Sequence, residues 1–134
     1  MRQFCLKLAK KYWTEHLQPS DVVIDATCGN GHDTLFLTTL SALVFSLDIQ
    51  EQALEKAKTL VGSKASLIHL SHEFIHEVAV PKAPRLIVYN LGYLPKGDKS
   101  ITTMCNSTLL SIEKSLQILA QDGAISITCY PGHA

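Results

Sequence analysis

One seven-residue segment combines an acid, a thiol and two glycines: Asp25-Ala26-Thr27-Cys28-Gly29-Asn30-Gly31. Asp25 closes an apolar run, so the pattern Asp-x-x-x-Gly-x-Gly stands where a strand gives way to a helix. Two glycines allow a tight turn and let a ligand approach the main chain where a Cβ would collide. The segment therefore predicts the binding loop of a nucleotide-type site. An ordinary strand-to-helix turn is the alternative interpretation.

A second acid, Asp48, ends the next apolar run. Its carboxylate can accept two hydrogen bonds from ribose hydroxyls. A dinucleotide fingerprint would have a third glycine where Thr34 stands, and S-adenosylmethionine lacks the pyrophosphate which that glycine helps to seat. The pattern therefore favours S-adenosylmethionine over NAD. The alternative role of Asp48 is to cap the helix that follows it.

A third stretch with chemical potential is Asn90-Leu91-Gly92-Tyr93-Leu94-Pro95. It resembles, without matching, the Asn-Pro-Pro-Tyr loop of methyltransferases that modify amino nitrogens. In that loop an asparagine oxygen and a backbone carbonyl accept hydrogen bonds from the amine and aim its lone pair at the methyl group. Gly92 and Pro95 would fix the loop, and Tyr93 could stack on a base. Alternatively, Asn90 caps backbone groups and Tyr93 simply packs.

The elements that must position these residues follow from apolar spacing that alternates between helical and extended patterns. The extended segments are 22–26, 43–48, 66–70, 85–90 and 124–130. Helices are expected over the opening segment, from Gly31 or Asp33 to Leu40, around 53–61, weakly at 72–78, and along 105–119. Residues 91–103 are expected to be irregular. The opening helix is expected to bury Cys5, Leu8, Ala9, Tyr12 and Trp13, and the longest helix to bury Cys105, Leu109, Ile112, Leu116 and Leu119.

Apolar strands that alternate with helices predict an α/β fold with a mostly parallel sheet and helices on both faces. In such sheets ligands bind outside the carboxyl ends of the strands, which is where Asp25, Asp48 and Asn90 stand. The chain has 134 residues, 46% of them hydrophobic and 18% charged, which fits one globular domain, 1–134.

The sequence resembles the family of small Rossmann-like rRNA methylases, which includes an enzyme that methylates the aminomethyl group of a modified tRNA wobble uridine. The resemblance runs from about Val22 to the last residue and is carried by five blocks in order: 25–35, 48–50, 71–73, 90–98 and 130–133. It implies a three-layer Rossmann-like methyltransferase fold, S-adenosylmethionine as cofactor and an RNA substrate, in particular tRNA. A catalytically impaired cofactor-binding relative and an NAD-dependent oxidoreductase are the alternatives.

On this basis each block has an expected role. The methionine portion of the cofactor is assigned to Asp25, Gly29, Asn30 and Gly31. The ribose is assigned to Asp48 and Gln50, and the adenine side to Ser71, His72 and Glu73. Thr27, Asp33 and Ile49 are expected to contact the cofactor as well. The catalytic residues that would receive the target amine are Asn90, Gly92 and Tyr93. Asn90 is also expected to contact the cofactor. If a proton acceptor assists, the candidates are His72, Asp98 and His133.

Members of the resembled family continue beyond the Pro-Gly-His block, whereas this chain stops at Ala134. A C-terminally truncated sheet is therefore expected, with 124–130 as an exposed edge strand that favours a homodimer. Catalysis could also be impaired, because missing segments could carry substrate contacts.

Charge and cysteine content indicate which partners and which cellular compartment to expect. Lys and Arg together number 12, as do Asp and Glu, so no global field favours nucleic acid; Lys7, Lys10 and Lys11 form either a local RNA-facing patch or a solvated helix face. Four widely spaced cysteines predict reduced, mostly buried thiols. His69, His72 and His76 need not converge, so no metal is expected. Without an apolar span or signal peptide, a cytoplasmic protein that binds no membrane is expected.

Overall fold

The computed structural model describes residues 2–93 and 98–130, with side chains from 3 to 92 and from 105 to 129. Five strands alternate with helices, as the apolar spacing predicts. The strands are β1 (Val22–Asp25), β2 (Leu43–Asp48), β3 (Ser66–His69), β4 (Leu86–Tyr93) and β5 (Ala124–Tyr130). The α-helices are α1 (Arg2–His16), α2 (His32–Thr38), α3 (Glu51–Val61) and α4 (Asp98–Ile118), and a short 3-10 helix spans His72–Glu77.

The strands form one parallel sheet in the order β3-β2-β1-β4-β5. The strand order reverses at β1, which pairs with β2 on one side and with β4 on the other. The carboxyl ends of these three strands therefore meet at the switch point, where α/β sheets bind their ligands. The predicted fold class is confirmed, and β5 is an edge strand as expected.

Side chains that alternate along β1 and β4 build a core on each face of the sheet. Val23 and Val88 face one cluster, which Trp13 of α1 and Leu37 of α2 complete. The opposite cluster is built by Ile24 and Ile87 together with Tyr89 of β4 and Ile75 of the 3-10 helix, and α4 packs against it. Helices on both faces make the three-layer architecture that was expected.

Two predictions about the second half of the chain need correction. The described residues of segment 91–103 are not irregular, because β4 continues to Tyr93 and α4 begins at Asp98; residues 94–97 lie outside the described part. The stripe expected to be buried on α4 is only partly its buried face: Ile112 and Leu119 pack against the core, but Leu109 and Leu116 are 64% and 63% exposed, whereas Ser111 and Ser115 are fully buried. The serines are inside because Tyr89 gives their hydroxyls hydrogen-bond partners.

Two smaller predictions about the helices and thiols also need correction. On α1, Trp13 is buried and Ala9 packs against the same cluster, but Leu8 and Tyr12 are exposed. Of the cysteines, Cys28 is buried whereas Cys105 and Cys129 are exposed. No helix in the described ranges is long and apolar enough to cross a membrane.

Candidate functional site

The loop after β1 is organised around a carboxyl group that is fully buried. Asp25 Oδ1 accepts a hydrogen bond from the Thr27 backbone N–H at 3.1 Å, and Oδ2 accepts one from Thr34 Oγ1 at 2.8 Å. Burial raises the pKa of Asp25 from 3.8 to about 7, since few dipoles replace the lost water. Asp25 therefore shapes the loop from below, and its side chain does not line the cavity described next.

Below the loop, Thr34 Oγ1 also lies 2.8 Å from Ser46 Oγ and 3.6 Å from the Cys28 sulfur. Burial raises the pKa of the Cys28 thiol to about 11, so this cysteine stays protonated. Thr34, the position where a dinucleotide fingerprint would have glycine, thus ties α2 to β1 and β2. Its side chain is part of the packing and could not be glycine without loss of this network.

The two loop glycines are required for different reasons. Gly29 has φ 54° with nothing but the Thr27 carbonyl oxygen within 4.0 Å of a Cβ built on it, so its backbone conformation is what favours glycine. Gly31 has φ 94°, and a Cβ there would stand 2.8 Å from the Ala57 Cβ of α3. At Gly31 the close packing of α3 is by itself enough to exclude a Cβ.

Asp48 joins two loops at the end of β2. Its Oδ2 accepts a hydrogen bond from the Gly29 backbone N–H, and its Oδ1 accepts one from the Gln50 backbone N–H, both at 2.8 Å. A carboxylate has about four acceptor positions, so two remain for hydroxyl groups of a ligand. The alternative N-cap role is not found, because Gln50 is the N-cap of α3 and no side chain caps this helix; the bond from Asp48 reaches the Gln50 N–H, which precedes the first turn.

A cavity of about 470 Å³ opens above these residues at the carboxyl ends of β1, β2, β3 and β4. This is the size of many small-molecule sites. No lysine or arginine is among the described residues that line it, and Asp48 contributes a negative charge. The lining residues are Ala26, Thr27, Asp48, Ile49, Gln50, Leu70, Ser71, His72, Asn90, Leu91, Ser107 and Thr108.

Asn90 is held at the cavity wall by both its backbone and its side chain. Its backbone N–H donates to Thr27 Oγ1 at 2.7 Å, and its side-chain Nδ2 donates to Asp33 Oδ2 at 2.9 Å. Two residues later, Gly92 adopts φ 63°, and the register between β4 and β5 shifts between Asn90 and Gly92. The irregularity turns β4 at the point where Asn90 meets the cavity.

His72 lies on the adenine side of the predicted site. Its ring meets Tyr89 edge to face at 5.8 Å between centroids, and its buried Nδ1 has no hydrogen-bond partner within the described part of the chain. Burial lowers the pKa of His72, so the ring is neutral near pH 7. The backbone carbonyl oxygen of His72 accepts a hydrogen bond from Ser111 Oγ at 2.7 Å, which joins the 3-10 helix to α4.

The structure brings together many of the residues that the sequence singled out. Seven predicted site residues line the cavity: Thr27, Asp48, Ile49, Gln50, Ser71, His72 and Asn90. Six others lie around it without lining it: Asp25, Gly29, Asn30, Gly31, Asp33 and Glu73. Gly92 follows in β4, and the backbone of Tyr93 ends that strand. The side chains of Tyr93, Asp98 and Tyr130, together with residues 94–97 and 131–134, lie outside the described residues, and with them the predictions for His133.

Sequence reasoning missed five lining residues: Ala26, Leu70, Leu91, Ser107 and Thr108. Three of them are apolar, and the other two lie on α4, where no motif distinguishes them. Ser107 and Thr108 precede the buried Ser111 by one helical turn, which is the signal that could have indicated a polar inner face.

The three closely spaced histidines do not share a site. His69 Nε2 lies 2.9 Å from the Ile49 carbonyl oxygen, while His72 faces the cavity. Within residues 2–93 and 98–130 no three His, Cys, Asp or Glu side chains are grouped so that they could hold a metal ion.

Comparison with known proteins adds a family to this geometry. The family model described as "Putative rRNA methylase" matches residues 44–134. A curated relative from Arabidopsis thaliana, a chloroplastic tRNA (mnm(5)s(2)U34)-methyltransferase, is 37% identical over 149 aligned residues, which include 98% of this chain. The match covers 54% of the relative, so the chain spans about half the length of that protein.

Solved structures agree with this result. An rRNA methylase from Streptococcus thermophilus is 38% identical with a TM-score of 0.79, and the match covers 96% of this chain and 71% of that one. A methyltransferase from Streptococcus mutans, solved in complex with SAH, is 34% identical with a TM-score of 0.76, and the match covers 91% and 70% of the two chains.

Proposed function

Because the chain belongs to the rRNA methylase family, we propose that it binds S-adenosylmethionine and transfers the methyl group to an amino nitrogen of a tRNA nucleotide. One observation carries the proposal: a single cavity at the switch point of the sheet contains both a ribose-type carboxylate, Asp48, and an asparagine amide, Asn90. The first suits a nucleoside, and the second suits an amine.

The charge of the cavity fits this cofactor. S-adenosylmethionine carries a sulfonium and an ammonium group, and the described lining offers one carboxylate and no lysine or arginine. A pyrophosphate would meet Asp48 without a compensating cation, which disfavours NAD. The mixture of apolar walls and a few polar groups is also usual for a nucleoside pocket.

Residues on three strand ends would hold the cofactor. Asp48 and Gln50 would receive the ribose, since Asp48 keeps two acceptor positions free. Ser71 and His72 would lie on the adenine side, where the neutral ring of His72 can exchange hydrogen bonds without adding charge. Thr27 and the loop that Gly29 turns would receive the methionine portion.

When bound, S-adenosylmethionine supplies a methyl group activated by its sulfonium. The protein's part is to hold an unprotonated amine in line with that group, and such positioning is worth roughly 7–11 kcal/mol in favourable intramolecular reactions. The carbonyl oxygen of Asn90 accepts a hydrogen bond from the amine and fixes its direction. Burial keeps the ring of His72 neutral near pH 7, so it adds no positive charge to a cavity that would hold a cationic cofactor.

The name of the Arabidopsis relative suggests the nucleotide. We propose that the methyl acceptor is the aminomethyl group of a modified wobble uridine, because a primary amine can donate a hydrogen bond to the carbonyl oxygen of Asn90. The substrate is a proposal of its own, since the chain spans only about half of that relative.

Calorimetric titration with S-adenosylmethionine, S-adenosylhomocysteine and NAD tests the cofactor. We expect the first two to bind and NAD not to bind. Binding of NAD without binding of the other two would support an oxidoreductase. Methyl transfer is then measured on bulk tRNA and on tRNA that lacks the aminomethyl group, with mass spectrometry of the nucleosides. Binding without transfer to either tRNA would instead identify a cofactor-binding protein that is catalytically impaired.

A further inference from the structure

We infer that Asp33 is a positioning residue that sets the orientation of the Asn90 side chain, so that its carbonyl oxygen and not its amino group is presented to the acceptor amine. The inference rests on the proposed function. It assigns Asp33 a role different from the cofactor contact that the sequence suggested for it.

The hydrogen bond between the two side chains has only one chemically sensible direction. Asp33 Oδ2 lies 2.9 Å from Asn90 Nδ2. An ionised carboxylate offers acceptors only, so the group of Asn90 that faces it must be the NH2. The carbonyl oxygen Oδ1 is then the polar atom of this side chain that remains for a ligand. Within the described ranges no hydrogen bond reaches Oδ1.

Without Asp33 the amide could turn over. The two ends of an asparagine amide are nearly equal in size, so packing alone does not distinguish them. A flipped amide would present its NH2 group to the amine, so that one hydrogen-bond donor would face another. The lone pair of the amine could not accept this hydrogen bond without being lost to methyl transfer. The carboxylate removes this ambiguity.

Both partners are themselves well fixed. Asp33 stands in the first turn of α2, where the helix dipole favours a negative charge, and the adjacent Thr34 anchors that turn to Asp25 and Ser46. Asn90 is fixed through its backbone N–H to Thr27. The pair therefore joins the first loop to the end of β4 across 57 residues of sequence.

Two substitutions with a matched control test the inference. Asp33→Ala removes the acceptor, and Asp33→Asn keeps the shape but can pair with either orientation of the Asn90 amide. Glu51→Gln is the control, because Glu51 is an exposed acid in the first turn of α3 and makes the same dipole interaction away from Asn90.

We expect kcat for methyl transfer to fall about 10- to 100-fold in Asp33→Ala and less in Asp33→Asn. The KM for tRNA and the Kd for S-adenosylmethionine should stay within about twofold of the wild type. Glu51→Gln should leave all three values unchanged. In amide NMR spectra, the side-chain NH2 signals of Asn90 should move in both Asp33 variants and stay in place in the control.

An unchanged kcat in Asp33→Ala would overturn the inference. So would a weakened Kd for S-adenosylmethionine with an unchanged kcat, because Asp33 would then contact the cofactor. If the wild type transfers no methyl group, the proposed function fails separately. The NMR signals then decide about Asp33, and signals of Asn90 that do not respond to either substitution reject its positioning role.

Discussion

The backbone N–H of Gly29 donates a hydrogen bond of 2.8 Å to Asp48 Oδ2, and this bond joins the loop after β1 to the end of β2. The second oxygen of the same carboxylate accepts a bond from the Gln50 N–H. Asp48 therefore sets the relative position of two cavity walls and also stands in the cavity. A variant that lacks the Asp48 carboxylate would therefore lose its contact with a ligand and its two loop contacts together.

Substitution of Asp48 should weaken cofactor binding strongly. In Asp48→Asn the new NH2 group must face one of the two backbone N–H donors, so one loop contact is lost together with a charged acceptor for the ribose. Hydrogen bonds to charged groups contribute about 1.5–3 kcal/mol each, which corresponds to roughly a 10- to 150-fold rise in Kd for S-adenosylmethionine. Calorimetry measures the Kd, and Glu55→Gln, at an exposed position of α3, is the control. Equal affinity of Asp48→Asn and wild type would refute the ribose assignment.

Asp25 should make stability depend on pH in an unusual direction. Its pKa is 3.8 in the unfolded chain and about 7 when folded, so between these values the folded state binds more protons than the unfolded state. The contribution is fully present below about pH 4 and is lost as pH rises through 7, with a slope of at most about 1.4 kcal/mol per pH unit. Asp25→Asn should remove this slope.

Urea unfolding of both proteins at several pH values measures the effect. The difference between the two curves is the relevant quantity, because His72, whose pKa is lowered, contributes a slope of opposite sign in both proteins. Parallel curves for wild type and Asp25→Asn would show that Asp25 titrates normally.

Gly31→Ala should destabilise the protein by about 2–4 kcal/mol, because it combines a collision with Ala57 and a strained φ of 94°. Gly62→Ala is a matched control, since Gly62 also has a positive φ but nothing lies within 4 Å of a Cβ there. Thermal unfolding of both variants should show the larger loss at Gly31. Ala57→Gly in the Gly31→Ala background should recover only part of the loss, because the Ala57 Cα, which this substitution keeps, also lies 2.9 Å from the Cβ at position 31. A loss in Gly31→Ala no larger than that in Gly62→Ala would mean that backbone strain alone explains it.

The edge position of β5 supports the prediction of a homodimer, which remains to be tested. Ile127 on this strand is 47% exposed, and a lysine there would discourage pairing with a second sheet edge. We expect the wild type to sediment as a dimer and Ile127→Lys to shift towards monomer. Leu109→Lys, on the outer face of α4 where Leu109 is 64% exposed, should not shift it. A monomeric wild type would contradict the prediction.

The sequence by itself determined the order of the elements and the edge of the sheet where the site lies. Strand ends are visible in sequence because buried parallel strands are continuous apolar runs, and Asp25, Asp48 and Asn90 each follow or close such a run. The glycine pattern was also readable, since positive φ restricts residue type locally. These features depend on neighbours in the chain, and sequence shows neighbours directly.

Only the tertiary structure decided which groups face the cavity and which support it. Asp25 turned out to be internal, Asp33 pairs with Asn90, and Gly31 meets Ala57, all through contacts between different helices, strands and loops. The buried face of α4 was misjudged for the same reason. Apolar spacing favoured Leu109 and Leu116, but the Tyr89 hydroxyl on β4 made serine the better inward residue. A polar side chain can be buried only if a hydrogen-bond partner lies opposite it, and that partner is placed there only when the helix packs against the sheet.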